Sequence, residues 1–326
     1  MKEVCDGPRI GQERIEKRIP IWLDTDPGVD DAMAMALLFA LPQYDVKGVS
    51  AVAGNVELSR TFRNARNLAA FFGRKDVPVY AGAARPLVRS PRTACFIHGE
   101  NGLGNVELPE SDAPETRLSA WDALFEAAEG EKGELTLVTV GPLTNVAIAL
   151  NRHGTLGKLL KRIVIMGGSA SGGNATLAAE ANIFCDAEAA QIVFQSGVPM
   201  VMCGLDMTLK TVMTPAELDD MGRMNPAGRF LRDAAQHGLE YSRKHGIDGM
   251  ALHDPTAVLY PLYPELFSGR EAGVIVETGD AATYGKTVTD LYFDRPFPFR
   301  NALVMLDVDR EKLIETVMTL LARYGS

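Results

Sequence analysis

Short apolar runs alternate with segments of helical periodicity over most of the chain. The runs are almost continuously hydrophobic, as in strands that are buried on both faces, whereas the segments between them repeat apolar residues at helical spacing. The predicted strands are Ile19–Leu23, Val46–Ala53, Leu135–Val140, Ile163–Met166 and Val198–Cys203, and the predicted helices are Asp30–Leu41, Leu58–Phe72, Leu143–Leu150 and Ala187–Ser196. This alternation predicts an α/β fold with a mostly parallel, Rossmann-like sheet and helices on both faces.

The pattern changes between Thr208 and Asp248, where long polar helices are predicted at Pro215–Met224 and Pro226–His245. We interpret this stretch as a helical insertion over the rim formed by the carboxyl ends of the strands. Edge strands are predicted after it, followed by a last helix: Val258–Leu259, Val274–Glu277, Thr287–Tyr292 and Ala302–Leu306, then Arg310–Tyr324. No repeat or low-complexity linker divides the chain, so residues 19–326 are predicted to form one domain behind a flexible extension, residues 1–18.

Composition excludes several classes of partner. The chain of 326 residues has a formal net charge of -9 and no run of basic residues, which argues against nucleic acid. No apolar stretch approaches the roughly 18 residues that a membrane span needs. The four cysteines show no CxxC spacing, and no apolar signal segment opens the sequence. We therefore expect reduced thiols and a cytoplasmic protein.

The most informative segment follows the first predicted strand, where Asp24, Asp26, Asp30 and Asp31 fall within eight residues around Pro27-Gly28. Buried carboxylates at such density are costly unless a positive charge lies among them. A hard divalent cation such as Ca²⁺ or Mg²⁺ fits, because it prefers oxygen ligands. The alternative is that Asp30 caps the next helix and Asp31 stabilises its first turn, which would leave Asp24 and Asp26 unexplained.

Further polar groups follow other predicted strands and should converge on the same rim. Residues 167–174 form a glycine-rich loop without the Lys-Ser/Thr ending of a Walker loop, and it leads to Asn174, Glu180 and Asn182. Amides and carboxylates suit a small molecule with several hydroxyl groups, although a flexible surface loop explains the glycines equally well.

The histidines allow both functional and structural interpretations. His253 precedes Asp254 near the predicted rim, where an imidazole can act as acid, base or ligand, and His98 lies in a second glycine-rich stretch. His237, Tyr241 and His245 recur at four-residue spacing and should share one helix face. Such a face usually serves packing, but over a pocket it could stack on a heteroaromatic ring.

The segment from Asp24 to Ala34 closely resembles the signature of the inosine–uridine preferring nucleoside hydrolases. The resemblance runs from about residue 19 to the end of the chain. Its further matches are Gly54-Asn55, residues 140–145, Met166-Gly167-Gly168, Gly173-Asn174, Glu180-Ala181-Asn182, residues 186–190 and His253-Asp254-Pro255.

The resemblance implies a calcium-dependent enzyme that splits ribonucleosides into ribose and free base, and that assembles as a homodimer or homotetramer. It implies that Ca²⁺ is bound by Asp26, Asp31, Asp254 and the carbonyl of Val140. It makes Asp26 the general base for the attacking water and His253 the group that protonates or positions the leaving base. It assigns the ribose to Asp30, Asn55, Met166, Asn174, Glu180 and Asn182, while His98, Tyr241 and His245 are candidates for contacts with the base.

Two other functions compete with this interpretation. A haloacid dehalogenase-like phosphatase also begins with a strand and Asp-x-Asp and uses Mg²⁺, but its Asp-Gly-Thr continuation is absent after Asp26. A non-catalytic nucleoside- or ribose-binding protein on the same fold would bind ligand without turnover. Against it, a competent side chain occupies every proposed catalytic position.

Overall fold

A nine-stranded sheet forms the centre of the computed structural model, which describes residues 18–279, 282–292, 297 and 299–325. The strands are β1 (Ile19–Thr25), β2 (Tyr44–Ala51), β3 (Val79–Ala81), β4 (Leu135–Thr139), β5 (Leu160–Met166), β6 (Met200–Cys203), β7 (Val212–Met213), β8 (Met250–Ala251), β9 (Phe267–Val276), β10 (Thr287–Asp290) and β11 (Ala302–Val308). Their order in the large sheet is β10-β9-β11-β6-β5-β4-β1-β2-β3, and β7 pairs with β8 separately. Only the β10–β9 and β9–β11 pairs of the large sheet are antiparallel, which confirms the mostly parallel sheet.

Helices cover both faces of this sheet. They are α1 (Val29–Ala40), α2 (Leu58–Phe71), α3 (Cys95–His98), α4 (Ala120–Glu131), α5 (Thr144–Arg152), α6 (Leu156–Leu159), α7 (Ala181–Cys185), α8 (Ala187–Phe194), α9 (Leu205–Thr208), α10 (Pro215–Met224), α11 (Pro226–Lys244), α12 (His253–Leu259) and α13 (Arg310–Ala322). Short 3₁₀ turns lie at Pro264–Leu266 and Arg323–Gly325. Among the described residues, no helix combines the length and apolar character that a membrane crossing requires.

β1 shows why the first apolar run is continuous. Ile21 and Leu23 pack into one hydrophobic core, while Trp22 between them packs into a second core on the opposite face. Side chains alternate across a strand, so a central strand covered on both sides needs apolar residues at every position.

The order of the strands reverses at β1. From β1 the chain builds β2 and β3 outward on one side, and then crosses to place β4 on the other side of β1. The loops after β1 and β4 therefore lead away from each other and leave a crevice at the carboxyl ends, which is where open α/β sheets bind ligands. Asp26 follows β1 and Val140 follows β4, so both lie at this switch point.

The predicted helical insertion is present. α10 begins with a capping box, in which the Thr214 hydroxyl accepts from the Glu217 N–H and the Glu217 carboxylate accepts from the Thr214 N–H, and Pro215 occupies the first turn. α11 packs against α1 and α3, the helices that border the rim next to β1.

Three details of the predicted strands are wrong. Val258–Leu259 belongs to α12, because this short apolar run is part of a buried helix that starts at His253, and such runs do not distinguish a strand from a helix. The strands at Val274–Glu277 and Ala302–Leu306 are not edges, since β9 and β11 each pair on both sides. The predicted extension lies outside the described residues except for Arg18.

Candidate active site

The turn between β1 and α1 is held together by Asp31. Its Oδ1 accepts hydrogen bonds from the Thr25 hydroxyl at 2.5 Å and the Asp26 N–H at 3.2 Å, and its Oδ2 accepts from the Gly28 N–H at 2.9 Å. Gly28, not Asp30, is the N-cap of α1, and its backbone N–H donates to the Asp31 carboxylate. The alternative interpretation is therefore wrong for Asp30 as the cap and correct for Asp31 as an acid of the first helical turn, and this structural role is compatible with a second role for the Asp31 carboxylate.

The Asp26 carboxylate is enclosed between two glycines. A Cβ atom on Gly54 would lie 2.0 Å from Oδ2, and one on Gly141 would lie 2.6 Å from Oδ1, so the fit requires glycine at both positions. The Asn55 N–H donates to Oδ2 at 2.7 Å, whereas Oδ1 is buried without a hydrogen-bond partner in the described part of the chain. A buried carboxylate oxygen without a protein partner is available to a cation or a water.

Three more carboxylates lie next to this turn. Single oxygen atoms of Asp30, Asp31 and Asp254 all lie within 4.8 Å of one another, and Asp254 comes from the first turn of α12. Burial raises the pKa of Asp26 and Asp254 well above the usual value, and the negative charges of neighbouring aspartates raise it further. Such a buried, mutually repulsive set of oxygen donors suits a hard divalent cation, as the sequence predicts.

The two predicted histidines are both at this site. His98 Nδ1 accepts from the Val29 N–H at 3.1 Å and lies 4.0 Å from Asp30 Oδ1. Burial lowers the pKa of His98 to about 4, so its ring is neutral near pH 7 and carries its proton on Nε2. Burial also lowers the pKa of His253, against the opposing charge of Asp30, and Thr208 Oγ1 lies 2.8 Å from His253 Nδ1.

The polar residues after β5 meet the loop that follows β4. Glu180 is the N-cap of α7, where its carboxylate accepts from the N–H groups of Gly168, Asn182 and Ile183. Asn182 Nδ2 donates to the Val140 carbonyl at 2.8 Å and to the Met166 carbonyl at 3.2 Å. The predicted residues Val140, Met166, Glu180 and Asn182 are thus neighbours.

Asn174 is held less extensively. Its Oδ1 accepts from the Ala181 N–H at 2.9 Å. The N–H groups of Ala175 and Thr176 donate to the Ala179 carbonyl at 3.1 and 3.3 Å, so these bonds together tie the outer part of the loop to the segment before α7.

The aromatic groups predicted for base contacts lie at the end of α11. Tyr241 packs on His245 with ring centroids 4.1 Å apart and on Phe96 at 5.2 Å, and Phe96 belongs to the same short helix as His98. The half-buried Tyr241 and the exposed His245 therefore belong to an aromatic cluster beside the His98 helix. Among the described residues, the ring contacts and hydrogen bonds of these two side chains do not reach the buried carboxylates.

Sequence reasoning missed several residues that support the site. Phe96 and Thr208 lie in segments without any recognisable spacing. Asn145 was visible only as part of the family resemblance, and its Nδ2 donates to Asp24 Oδ1 at 2.7 Å. Asp24 itself faces Ser50 and Asn145, away from the other acids, and burial raises its pKa to about 7.

Comparisons with known proteins identify the family of the chain. The model of the family described as inosine-uridine preferring nucleoside hydrolase matches residues 21–315. The chain is 42% identical over 315 residues to the pyrimidine-specific ribonucleoside hydrolase RihA of Citrobacter koseri, covering 94% of this chain and 99% of that protein. Among solved structures, the plant nucleoside hydrolase PpNRh1 superposes with a TM-score of 0.88 at 33% identity, covering 93% of this chain and 98% of that one. A purine-preferring ribonucleoside hydrolase from Gardnerella vaginalis has a TM-score of 0.88 at 32% identity, covering 94% and 99%. The chain therefore belongs to the inosine-uridine preferring nucleoside hydrolase family and is an enzyme of that family.

Proposed function

We propose that this enzyme hydrolyses the N-glycosidic bond of ribonucleosides, releasing ribose and the free base, and that it does so with Ca²⁺. The observation that carries the proposal is the cluster of Asp30, Asp31 and Asp254 oxygens at the switch point of the sheet. Asp26 interacts electrostatically with Asp31 and Asp30, and its Oδ1 has no hydrogen-bond partner among the described residues. Two of the relatives named above are ribonucleoside hydrolases, one pyrimidine-specific and one purine-preferring, and this supports the substrate class without choosing a base.

The proposed calcium ligands are Asp26, Asp31, Asp254 and the carbonyl oxygen of Val140. The three side chains are buried and offer only oxygen atoms, which fits Ca²⁺. The Val140 carbonyl accepts a hydrogen bond from Asn182, and its second lone pair is available to a cation. Bound calcium would supply positive charge that lowers the pKa of water and attracts the ribose hydroxyls.

The general base and the contacts with the ribose are assigned to individual side chains. Asp26 accepts the proton of the attacking water, because its Oδ1 has no hydrogen-bond partner in the described part of the chain and its carboxylate interacts with Asp30 and Asp31. Carboxylates and amides around the ribose stabilise the positive charge of an oxocarbenium-like transition state. In this proposal Asp30 and Asn55 bind the 2′-hydroxyl side, Asn174, Glu180 and Asn182 bind the 3′- and 5′-hydroxyl side, and Met166 lines the sugar.

His253 and His98 are the residues assigned to the leaving base. His253 protonates or positions the base, and its contact with Thr208 fixes the orientation of the ring. His98 holds Nε2 as a hydrogen-bond donor because Nδ1 accepts from the backbone. Tyr241 and His245 contact the base only if the end of α11 closes over the site.

An assay of products separates this proposal from its two alternatives. We expect reducing sugar to be released from inosine, guanosine, uridine or cytidine in the presence of Ca²⁺. A phosphatase would instead release inorganic phosphate from phosphomonoesters. A binding protein would bind nucleosides without releasing ribose, even at micromolar enzyme concentration.

The Asp26→Asn variant tests the proposed base. We expect the variant to fold and to lose about 10²- to 10⁴-fold in kcat, because the attacking water loses its proton acceptor. Asp24→Asn is a matched control: it makes the same change in a buried carboxylate two residues away that also has an unpaired oxygen. Wild-type kcat in Asp26→Asn, or an equal loss in both variants, would contradict the assignment.

Three further predictions belong to this proposal. The hydrolase domain spans residues 19–326, the active form is a homodimer or homotetramer, and the enzyme works in the cytoplasm. Sedimentation equilibrium of the purified protein measures the oligomeric state directly.

A further inference from the structure

The glycine-rich loop after β5 is bound by side chains from three other segments of the chain. Four consecutive backbone N–H groups donate to side-chain oxygens: Gly168 to Glu180 at 2.9 Å, Ser169 to Thr287 at 2.8 Å, and Ala170 and Ser171 to Asp206 at 2.6 and 3.1 Å. All four donors are therefore occupied by the protein itself, so residues 168–171 are neither a phosphate cradle nor a free surface segment.

Two opposite charges hold the outer part of this loop. Asp206 reaches it from α9 and also accepts from the Ser171 hydroxyl at 2.5 Å. Lys286 reaches it from the residue before β10, and its Nζ donates to the carbonyls of Ser169 at 3.0 Å and Ser171 at 2.6 Å. Burial lowers the pKa of Lys286, and the charge of Asp206 opposes that shift. A partly desolvated ammonium group gains from such carbonyl bonds, so the pair stabilises one loop conformation.

Asn174 follows these anchors after two glycines. Gly173 lies so close to the returning chain that a Cβ there would be 2.2 Å from the Ala179 carbonyl oxygen. Glycines add little stiffness of their own. The position of Asn174 therefore depends on the anchored residues before it and on two bonds on its other side, from the Ala181 N–H to its own Oδ1 and from the Ala175 N–H to the Ala179 carbonyl.

We propose that Asp206 and Lys286 are positioning residues that fix Asn174 for the 5′-side of the ribose. The inference rests on the proposed function, in which Asn174 binds that side of the sugar. Asp206 and Lys286 act through the loop backbone, and no substrate contact is assigned to either of them. Loosening a positioning group by about 1 Å can cost up to roughly 100-fold in rate.

The test compares a ribonucleoside with its 5′-deoxy counterpart in the variants Lys286→Met and Asp206→Asn. We expect kcat/KM for the ribonucleoside to fall about 10- to 100-fold, while that for the 5′-deoxy substrate changes less than about 2-fold. Lys286→Arg, which can still donate to both carbonyls, should recover much of the loss. Combining Lys286→Met with Asn174→Ala should add little to Asn174→Ala alone, because both changes remove the same contact.

Lys210→Met is the matched control, since Lys210 also donates to a carbonyl, that of Leu306 at 2.8 Å, but outside the loop. It should leave both substrates unchanged. Equal losses on the two substrates, or no loss, would overturn the proposal. Asp206 and Lys286 belong to different elements, so either variant alone is a sufficient test if the other does not fold.

The wild type distinguishes failure of this proposal from failure of the function. No turnover of any ribonucleoside would refute the proposed function itself. Equal turnover of the ribonucleoside and its 5′-deoxy counterpart would refute the assignment of Asn174 and this proposal with it. Discrimination that persists in both variants would refute only the role of Asp206 and Lys286.

Discussion

The side chains proposed to bind ligand also hold the backbone in place. Asp31 holds the turn before α1, Glu180 caps α7, and Asn182 joins the loops after β4 and β5. Removing such a side chain leaves buried N–H or carbonyl groups unpaired, which destabilises the fold as well as the site. Alanine variants of these residues would therefore mix stability with function, whereas Asp26 and His253 allow a cleaner separation.

His253→Ala should separate the departure of the base from the attack of water. We expect kcat for natural ribonucleosides to fall about 10²- to 10⁴-fold, because their bases are poor leaving groups without an acid. A nitrophenyl riboside should be affected far less, since its phenolate leaves without protonation. The measurement is steady-state kinetics on both substrates.

Thr208→Val is a milder variant that complements His253→Ala. It removes the partner of Nδ1 and keeps the imidazole, so its effect should have the same direction and a smaller size. If His253→Ala slowed both substrates equally, His253 would act by another route than protonation of the base.

At the scale of elements, the sequence was most informative where local pattern and topology agree. β1 and the acidic turn were predictable, because a continuous apolar run ends in carboxylates next to a helix start. The convergence of the loops after β1, β4 and β5 followed from the rule that parallel strands end at the same edge.

Elements defined by tertiary contacts were not predictable. β3 has only three residues, and the end of α12 looks like a strand because all its apolar residues are buried. The Val29–His98 hydrogen bond joins residues 69 positions apart, so no local spacing reveals it. The anchors of the glycine-rich loop are similarly distant, up to 118 positions in the case of Thr287.

The contact of Asp122 in α4 with Arg152 and His153 at the end of α5 allows a prediction about how the stability of the fold depends on pH. Asp122 accepts from Ser119, Arg152 and His153, and these bonds lower its pKa to about 2 despite some burial. Because the pKa is lower in the folded state, Asp122 stabilises the protein above its ordinary pKa, and this contribution is lost as pH falls towards 2. The partners are partly exposed, so the effect is modest.

We expect Asp122→Asn to lower the melting temperature by about 1–3 °C at neutral pH. The difference from the wild type should shrink at about pH 3, where Asp122 of the wild type begins to be protonated. Thermal melts of both proteins at the two pH values measure this. A difference that stays constant or grows in acid would contradict the role given to the Asp122 carboxylate.

At the scale of the whole molecule, the reversal of strand order at β1 determines where the proposed active site lies. Because β2 and β4 lie on opposite sides of β1, the ends of β1 and β4 form the crevice. Helix α12 brings Asp254 to this crevice from a distant part of the sequence. The two hydrophobic cores on either side of the sheet fix these strand ends. The fold thus stabilises a group of carboxylates that repel one another.

That repulsion predicts the response of stability to metal. Calcium that binds only the folded state, at 100 times its Kd, would stabilise it by about 2.7 kcal/mol, and this value already includes the relief of the repulsion among Asp26, Asp31 and Asp254. We expect the melting temperature to rise by several degrees on adding Ca²⁺ after chelation. Asp254→Asn should abolish most of this shift, whereas Asp45→Asn, which changes a carboxylate paired with Lys47 outside the site, should preserve it. If neither Ca²⁺ nor Mg²⁺ moved the melting temperature, the buried oxygens at the switch point would not be a metal site, and the proposed hydrolytic mechanism would lose its cation.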